Sequence, residues 1–308
     1  MKLAFLYAGQ GSQTPGMGRD LYAQFPQIRP IFEMKPQGLD LMQLCFDSDA
    51  ETLARTEHTQ PAMGAFAAAI TALLREAGVT PDAAMGLSLG EYGALHAAGA
   101  LDAETLLGLL AFRGRAMAEA ARGIDSAMVA VFGLDEPQLR AALAPIEGDV
   151  WCCNFNCPGQ IVIGGQATAV QAAGSAARAA GARRCIPLKV GGPFHTPLMA
   201  PAGEALKIKL AEVSLTPPRV PVILNVDGGP LPATRTLAEN LVLQIQSPVR
   251  FEAGLYTLLH MGIDIFVEIG PGKVLSGFVK KVAPDAAVHA IEDAESLAGC
   301  LDTLRRES

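Results

Sequence analysis

The chain has 308 residues, a length that favours one large domain with a smaller one inserted or appended. Of these residues 50% are hydrophobic and 18% are charged, a composition that is typical of a globular protein and excludes a disordered chain. The net charge of −7 argues against nucleic-acid binding, for which a basic stripe would be needed. The longest charge-free helical run, residues 61–74, is too short to cross a bilayer. The N-terminal apolar run indicates a first strand and not a signal peptide, so we expect a cytoplasmic protein without membrane contact.

The cysteines are expected to remain thiols in that compartment. Their densest group is Cys152, Cys153 and Cys157. Neighbouring side chains on a strand point to opposite faces, so this spacing does not converge on a zinc ion. We therefore expect no metal site.

Strands and helices alternate over the first 121 residues. A glycine-rich turn at residues 9–12 follows the first strand, and Asp102 is predicted to cap a helix with acidic residues in its first turn. Such alternation predicts an α/β domain built on a parallel sheet. In chain order, the predicted elements are a strand at 2–8, helices to about 76, a strand at 83–85, a helix from 86 to about 99 and a helix from 102 to about 121.

The alternation of single strands and helices is interrupted near residue 125 and resumes after residue 190. In between, the predicted order of elements is β-α-β-β-α-β, which is typical of a ferredoxin-like unit. The strands predicted beyond residue 125 lie at 127–133, 149–156, 161–165, 184–190, 220–226, 263–269 and 287–291. The predicted domains are a large α/β-hydrolase-like domain with a parallel-sheet core, residues 1–124 and 191–308, and an inserted ferredoxin-like subdomain, residues 125–190.

Residues 86–90, GLSLG, match the motif G-x-S-x-G between a predicted strand and a predicted helix. The flanking glycines permit a strained turn that exposes the Ser88 hydroxyl, because larger side chains would collide with the neighbouring strand and helix. Ser88 would then lie at a helix N-terminus, whose free N–H groups and dipole favour an oxyanion. The alternative interpretation is an ordinary serine that caps the helix.

The base for Ser88 is not expected next to it in the sequence. His96 would lie about 12 Å along the helix axis from Ser88, which is too far, and Glu91 would serve the helix dipole. His195 is the strongest candidate, because a glycine pair and a proline constrain its loop, GGPFHTPLM, where the chain re-enters the main domain. Two other histidines have structural positions, at a predicted helix end and in a predicted strand: His260 and His289.

Arg113 lies on the apolar stripe of the helix that begins at Asp102, with leucines three, four and seven residues before it and Met117 four residues after it. A guanidinium that faces a core needs an anion, and no acid lies within a turn on that face. Either a distant Asp or Glu forms an internal salt bridge, or the anion is a substrate carboxylate bound bidentately.

Taken together, the motifs of this chain resemble those of the malonyl-CoA:acyl carrier protein transacylase family over essentially its whole length. The matching segments are GQGSQ at 9–13, TQPA at 59–62, GLSLGEY at 86–92, FRGRAM at 112–117, NFNCPGQ at 154–160, GPFHTPLM at 192–199 and EIGPGKVL at 268–275. The resemblance implies that Ser88 is the nucleophile, that His195 is its base and that Arg113 binds the malonyl carboxylate.

The resemblance also implies supporting roles. The backbone N–H groups of Gln10 and Leu89 would form the oxyanion hole. The main-chain carbonyl of Gln244 would orient the base, which explains why no triad aspartate is evident. Gln60 would support the site, and the bulk of Phe194 would favour malonyl by leaving little room for an α-methyl group.

The implied reaction is a ping-pong transfer of malonyl from malonyl-CoA to the phosphopantetheine thiol of acyl carrier protein through a seryl ester, supplying malonyl thioester for fatty acid synthesis. The expected partners are malonyl-CoA, CoA and acyl carrier protein, the enzyme is expected to be a monomer, and no cofactor is required. One departure is visible, since the family usually has histidine where this chain has Leu87. Two groups of basic residues are candidates for binding an acidic carrier: Arg178, Arg183, Arg184 and Lys189, and Lys273, Lys280 and Lys281.

Other functions remain open from the residues alone. Within the same class are an acyltransferase for a polyketide synthase and a malonate decarboxylase subunit. An α/β-hydrolase esterase would share the serine motif and use His289 as base, but it would leave Arg113 and the inserted unit unexplained. The third class is a docking module without catalytic activity.

Overall fold

Two β-sheets organise the chain in the computed structural model, which describes residues 2–307. The strands are β1 (Leu3–Tyr7), β2 (Ala83–Gly86), β3 (Ser126–Phe132), β4 (Val150–Cys157), β5 (Gln160–Gln166), β6 (Arg184–Pro187), β7 (Val222–Ile223), β8 (Ile265–Ile269) and β9 (Ala287–Ile291). The first sheet is parallel, in the order β7-β2-β1-β8-β9, and the second is antiparallel, in the order β4-β5-β3-β6. The predicted α/β fold with a parallel sheet is confirmed.

The helices within residues 2–307 are α1 (Arg19–Gln24), α2 (Arg29–Glu33), α3 (Ala50–Ala54), α4 (Thr56–Glu76), α5 (Gly90–Ala97), α6 (Ala103–Ala121), α7 (Glu136–Leu143), α8 (Ala167–Ala179), α9 (Ala200–Leu210), α10 (Leu237–Gln246), α11 (Phe251–His260), α12 (Val274–Val282) and α13 (Ala294–Glu307). The alanine-rich α4 is buried along most of its length and packs against α6. Asp102 caps α6 as predicted, since its side chain accepts a hydrogen bond from the Thr105 N–H. No helix within the described residues is long and apolar enough to cross a membrane.

The register of the parallel sheet brings three loops together. Tyr7, the last residue of β1, pairs with Gly86 of β2 and with Ile269 of β8. The three strands therefore end in one row, and the turn after β1, the turn after β2 and the loop after β8 leave the sheet side by side. In parallel sheets the carboxyl edge is where ligands usually bind.

The antiparallel sheet contributes one face to each of two cores. Cys152 packs with Val131 and Leu139 in a small cluster beneath α7 and α8, whereas the adjacent Cys153 belongs to the main hydrophobic core. This alternation follows from the two-residue period of a strand. It also separates the cysteines, as expected from their spacing.

Three predicted boundaries are wrong. The helix predicted from residue 86 begins at Gly90, because Gly86 ends β2 and residues 87–89 form a turn in which Ser88 has a φ of 56°. The strand predicted at 220–226 is reduced to β7, since Leu224 instead bridges a turn back to Gly229. The strand predicted at 184–190 ends at Pro187, which has no N–H to donate to the ladder.

Candidate active site

The turn between β2 and α5 brings the Ser88 hydroxyl to the carboxyl edge of the parallel sheet. A Cβ atom on Gly86 would lie 2.0 Å from the carbonyl carbon of Gly90, and a Cβ atom on Gly90 would lie 2.2 Å from the carbonyl oxygen of Tyr7. Both glycines are therefore required by close backbone approach, for the steric reason that the motif suggested. The left-handed backbone of Ser88 is uncommon for a non-glycine residue and is typical of strained functional turns.

His195 lies against Ser88 although 107 residues separate them. Its Nδ1 is 3.0 Å from the carbonyl oxygen of Gln244, and a carbonyl only accepts, so Nδ1 carries the proton. The Ser88 hydroxyl therefore donates to Nε2, with an Oγ to Nε2 distance of 2.7 Å. Burial, together with the nearby Arg113 charge, lowers the pKa of His195 to about 4. The imidazole is thus neutral at neutral pH and able to accept the serine proton.

Arg113 is buried, with 1% of its surface exposed, and its hydrogen-bond partners are neutral. Nη1 donates to Oε1 of Gln60 at 2.8 Å and Nη2 donates to Oε1 of Gln244 at 2.9 Å. Nη2 also lies 3.2 Å from Oγ of Ser88, and the guanidinium carbon is 5.5 Å from the ring centroid of Tyr92. The internal salt bridge considered from the sequence is not formed within residues 2–307. A buried positive charge beside the hydroxyl is suited to an anionic group on the bound molecule.

Two backbone N–H groups, in the turn after β1 and in the serine turn, are free of protein acceptors. Among the hydrogen bonds of residues 2–307, neither Gln10 N–H nor Leu89 N–H is a donor. The side chain of Gln10 donates to the Thr56 hydroxyl at 3.1 Å, which ties the turn after β1 to the start of α4. Free N–H groups at a helix N-terminus are the arrangement that stabilises an oxyanion.

Gln244 contacts all three predicted catalytic and binding groups. Its main-chain oxygen accepts from His195, its Oε1 accepts from Arg113, and its Nε2 donates to the Ser88 carbonyl at 2.9 Å. The resemblance predicted only the first contact. The side-chain contacts depend on α10 packing against the site and have no local pattern in the sequence.

Sequence reasoning missed Asn225 and underestimated Glu91. Asn225 follows β7, and its Oδ1 accepts from the Ser88 N–H at 2.7 Å. Glu91 is fully buried, where its Oε2 accepts from the Asn225 N–H at 2.6 Å, and burial raises its pKa to about 7. Glu91 lies in the first turn of α5, as expected of a residue that serves the helix dipole, and it also fixes the backbone of Asn225. A polar residue at the carboxyl end of a predicted strand was the one signal available for Asn225.

The remaining singled-out residues lie as follows. Phe194 is buried in the main core beside the base, and Leu87 packs against the turn after β1, since a Cβ atom on Gly9 would lie 3.2 Å from Cβ of Leu87. His96 is buried and its Nδ1 is 2.9 Å from a carbonyl oxygen, which confirms that it is a packed histidine. His289 lies on β9, an edge strand, so it is not the residue that meets the serine. No group of three metal-ligating side chains occurs within the described part of the chain.

With this geometry established, comparison with known proteins defines the class. The chain matches the family model of the acyl transferase domain over residues 4–301 and belongs to that family. The malonyl CoA-acyl carrier protein transacylase of Bacillus subtilis (strain 168) is 43% identical to it over 312 residues, covering 100% of this chain and 98% of that protein. The malonyl CoA-acyl carrier protein transacylase of Escherichia coli (strain K12) is 37% identical over 306 residues, covering 98% of this chain and 99% of that protein.

Comparison with solved structures leads to the same family. A crystal structure of MCAT from Streptococcus pneumoniae has a TM-score of 0.92 and 43% identity, and covers 98% of this chain and 100% of its own. A structure of a type II PKS acyl-carrier protein in complex with its malonyl-transacylase has a TM-score of 0.94 and 36% identity, with the same coverage. The resemblance to malonyl-CoA:acyl carrier protein transacylases drawn from the motifs is confirmed.

Proposed function

We propose that this protein transfers the malonyl group of malonyl-CoA to the phosphopantetheine thiol of an acyl carrier protein, and that it supplies malonyl thioester for fatty acid synthesis. The observation that carries the proposal is the buried charge of Arg113 beside the Ser88 hydroxyl, with neutral partners only. An acyl group that is bound to Ser88 and ends in a free carboxylate pairs with this charge. The names of the relatives reported above point to the same substrate.

In the first half-reaction, Ser88 transfers its hydroxyl proton to Nε2 of His195 while Oγ attacks the thioester carbonyl carbon. The N–H groups of Gln10 and Leu89 stabilise the oxyanion that forms. The carbon–sulfur bond then breaks, and the CoA sulfur leaves with the proton from Nε2. The product is a malonyl ester on Ser88.

In the second half-reaction, the carrier thiol gives its proton to His195 and its sulfur attacks the seryl ester. The ester bond to Oγ breaks, and Ser88 recovers the proton from Nε2. The carbonyl of Gln244 holds Nδ1–H throughout, so the same nitrogen exchanges the proton in both halves. These steps use malonyl-CoA and the carrier as substrates and require no cofactor.

Selectivity is assigned to four side chains. Arg113 binds the malonyl carboxylate, and Gln60 and Gln244 hold its guanidinium in place through their Oε1 atoms. The bulk of Phe194 disfavours an α-methyl group, a difference that a pocket converts into a preference of about 10- to 200-fold. We therefore expect malonyl-CoA to acylate the enzyme faster than methylmalonyl-CoA.

The domain organisation is part of the proposal. Residues 1–124 and 191–308 form a large α/β-hydrolase-like domain, which the serine turn between β2 and α5 supports. Residues 125–190 form an inserted ferredoxin-like subdomain, which the sheet order β4-β5-β3-β6 supports.

Carrier binding is assigned to exposed basic residues. In the group that ends at Lys281, the Lys280 ammonium already donates hydrogen bonds within the protein, to the carbonyl oxygens of Pro284 and Ala286. In the other group, Arg184 and Lys189 are exposed along and just beyond the edge strand β6. Arg178 of this group also donates to a carbonyl oxygen, that of Cys185, but three further basic residues remain in this group and two in the other, so this group is the stronger candidate for an acidic carrier. Transfer to the carrier should weaken with rising salt, and salt-insensitive transfer would count against the assignment.

Intact-mass measurement after mixing with malonyl-, methylmalonyl- and acetyl-CoA tests the core of the proposal. The wild type should gain the mass of one malonyl group, and Ser88→Ala should gain none. Arg113→Ala should lose most malonyl labelling and accept acetyl relatively better, because the carboxylate no longer has a partner. An unchanged malonyl preference in Arg113→Ala would overturn the assignment of Arg113. Transfer from the labelled enzyme to fatty acid and polyketide carriers then separates the two pathways.

A further inference from the structure

The buried side chain of Asn225 forms hydrogen bonds to the two residues that flank Leu87 in the serine turn. Asn225 is 2% exposed, its Nδ2 donates to the Gly86 carbonyl at 2.7 Å, and its Oδ1 accepts from the Ser88 N–H at 2.7 Å. The amide therefore bridges the residues before and after Leu87 with two short hydrogen bonds. It comes from the segment after β7, 137 residues away from Ser88 in the sequence.

The bridged turn is the strained part of the site. Ser88 has a left-handed backbone, which is disfavoured for a residue with a Cβ atom and persists only where the surroundings impose it. Gln244 holds the Ser88 carbonyl from the other side, and Asn225 holds the Ser88 N–H. Because the N–H is committed to Asn225, it is not available as an oxyanion donor, in contrast to the N–H of Leu89.

Asn225 is itself fixed by the helix that follows the turn. Oε2 of Glu91 accepts from the Asn225 N–H at 2.6 Å, and Oε1 of Glu91 lies 3.4 Å from Nδ2 of Asn240. Asn240 in turn accepts from Arg235 at 3.0 Å. Burying the Glu91 carboxylate without such donors would be costly. The hydrogen bond from the Asn225 N–H therefore fixes the backbone of Asn225 relative to α5, the helix that carries Glu91.

We propose that Asn225, held by Glu91, is a positioning residue that keeps Ser88 in the conformation from which its hydroxyl reaches Nε2 of His195. This inference rests on the proposed function, in which Ser88 is the nucleophile. Asn225 does not bond to the guanidinium of Arg113, so its loss should slow attack on the thioester and leave malonyl-CoA binding nearly unchanged.

The experiment compares wild type with Asn225→Ala, Asn225→Asp and the control Thr257→Val. Asn225→Ala removes both hydrogen bonds, whereas Asn225→Asp retains an acceptor for the Ser88 N–H but no donor for the Gly86 carbonyl. Thr257 bonds through its hydroxyl to the carbonyl of Gly228 at 2.6 Å, so its valine variant loses one hydrogen bond in the same loop without touching the serine turn. Each folded variant is assayed for the single-turnover rate of malonyl-enzyme formation and for the malonyl-CoA concentration that gives half the maximal rate.

Asn225→Ala should lower the maximal acylation rate about 100-fold, the loss typical of a misplaced reacting group, and should change the half-saturating concentration by less than about threefold. Asn225→Asp should lower the rate at least about tenfold, because the Gly86 carbonyl loses its donor and faces a carboxylate oxygen instead. Thr257→Val should stay within about twofold of wild type.

A folded Asn225→Ala that acylates within about threefold of wild type would overturn the proposal. If that variant does not fold, Asn225→Asp decides, and a rate equal to that of Thr257→Val would overturn it. Phosphonylation of Ser88 by a serine-directed fluorophosphonate, followed in the same variants, separates this inference from the proposed function. A wild type that reacts with this reagent but not with malonyl-CoA overturns the malonyl assignment alone, while an equal phosphonylation rate in Asn225→Ala overturns the positioning role alone.

Discussion

The carboxyl edge of the parallel sheet and the interior of the antiparallel sheet are built by opposite means. At the parallel edge, the buried residues include Glu91, Arg113 and His195, and each is held by hydrogen bonds from a different part of the chain. The cluster beneath the antiparallel sheet consists of hydrophobic residues such as Val131 and Ile163. One region is organised by polar contacts with defined geometry, and the other by close packing.

This difference indicates whether a substitution in each region should change the catalysed reaction or the stability of the fold. A buried polar network depends on every member, because a partner left unsatisfied costs the full desolvation of its group. A hydrophobic cluster responds mainly to lost volume. Changes at the parallel edge should therefore act on chemistry, and changes in the antiparallel cluster should act on stability.

Among the substitutions that compare these two regions, the largest effect is expected for Gly90→Ala. The new Cβ atom would lie 2.2 Å from the Tyr7 carbonyl oxygen, so α5 and the serine turn must shift away from β1. We expect the acylation rate to fall by more than about 100-fold, since a misplacement of about 1 Å has that cost. Single-turnover labelling with malonyl-CoA measures it, and a rate close to wild type would contradict the close approach.

Ile163→Ala tests the other side of the comparison. Ile163 is fully buried in β5, and its truncation should lower the free energy of unfolding by about 2 to 5 kcal/mol. Denaturant unfolding measures this loss. The acylation rate per folded molecule should stay at the wild-type value, and a drop as large as that of Gly90→Ala would erase the distinction between the regions.

The pH dependence of acylation is expected to be smaller but diagnostic. His195 must be neutral to accept the serine proton, and burial lowers its pKa to about 4. In Glu91→Gln, which lacks the buried carboxyl with a pKa of about 7, the rate should therefore stay level from pH 8 to pH 5 and fall as the pH drops through about 4. With the ordinary pKa of about 6.5, the rate at pH 5.5 would be about tenfold lower than at pH 8. A profile of Glu91→Gln that falls near pH 6.5 would show that the imidazole is not buried in this way.

The smallest effect is expected for Gly174→Ala, the counterpart of the first substitution. Gly174 lies inside α8, and a Cβ atom there would meet nothing within 4 Å. Replacing glycine by alanine in a helix should raise the free energy of unfolding by about 0.5 to 1 kcal/mol and leave acylation unchanged. A destabilised variant would mean that α8 has less room at this position than the 4 Å of open space around Gly174 indicates.

Much of the architecture could be predicted from local patterns. The strand at 287–291 was predicted at its observed bounds, because the residue pattern that marks a strand acts over a few residues. Boundaries failed where tertiary contacts intervene, as at β7, which is cut short before Asn225 turns toward the serine turn.

The sequence by itself determined the serine turn, the buried arginine on the stripe of its helix and the family, because these depend on local sterics, on helical period and on several short motifs in a fixed order. Only the tertiary structure decided that Glu91 is buried, that the Gln244 side chain joins Ser88 to Arg113, and that Asn225 bridges the serine turn. The physical reason is distance along the chain. These hydrogen bonds join residues 131 to 156 positions apart, and no periodicity links partners so far separated until the parallel strands bring their ends into one row.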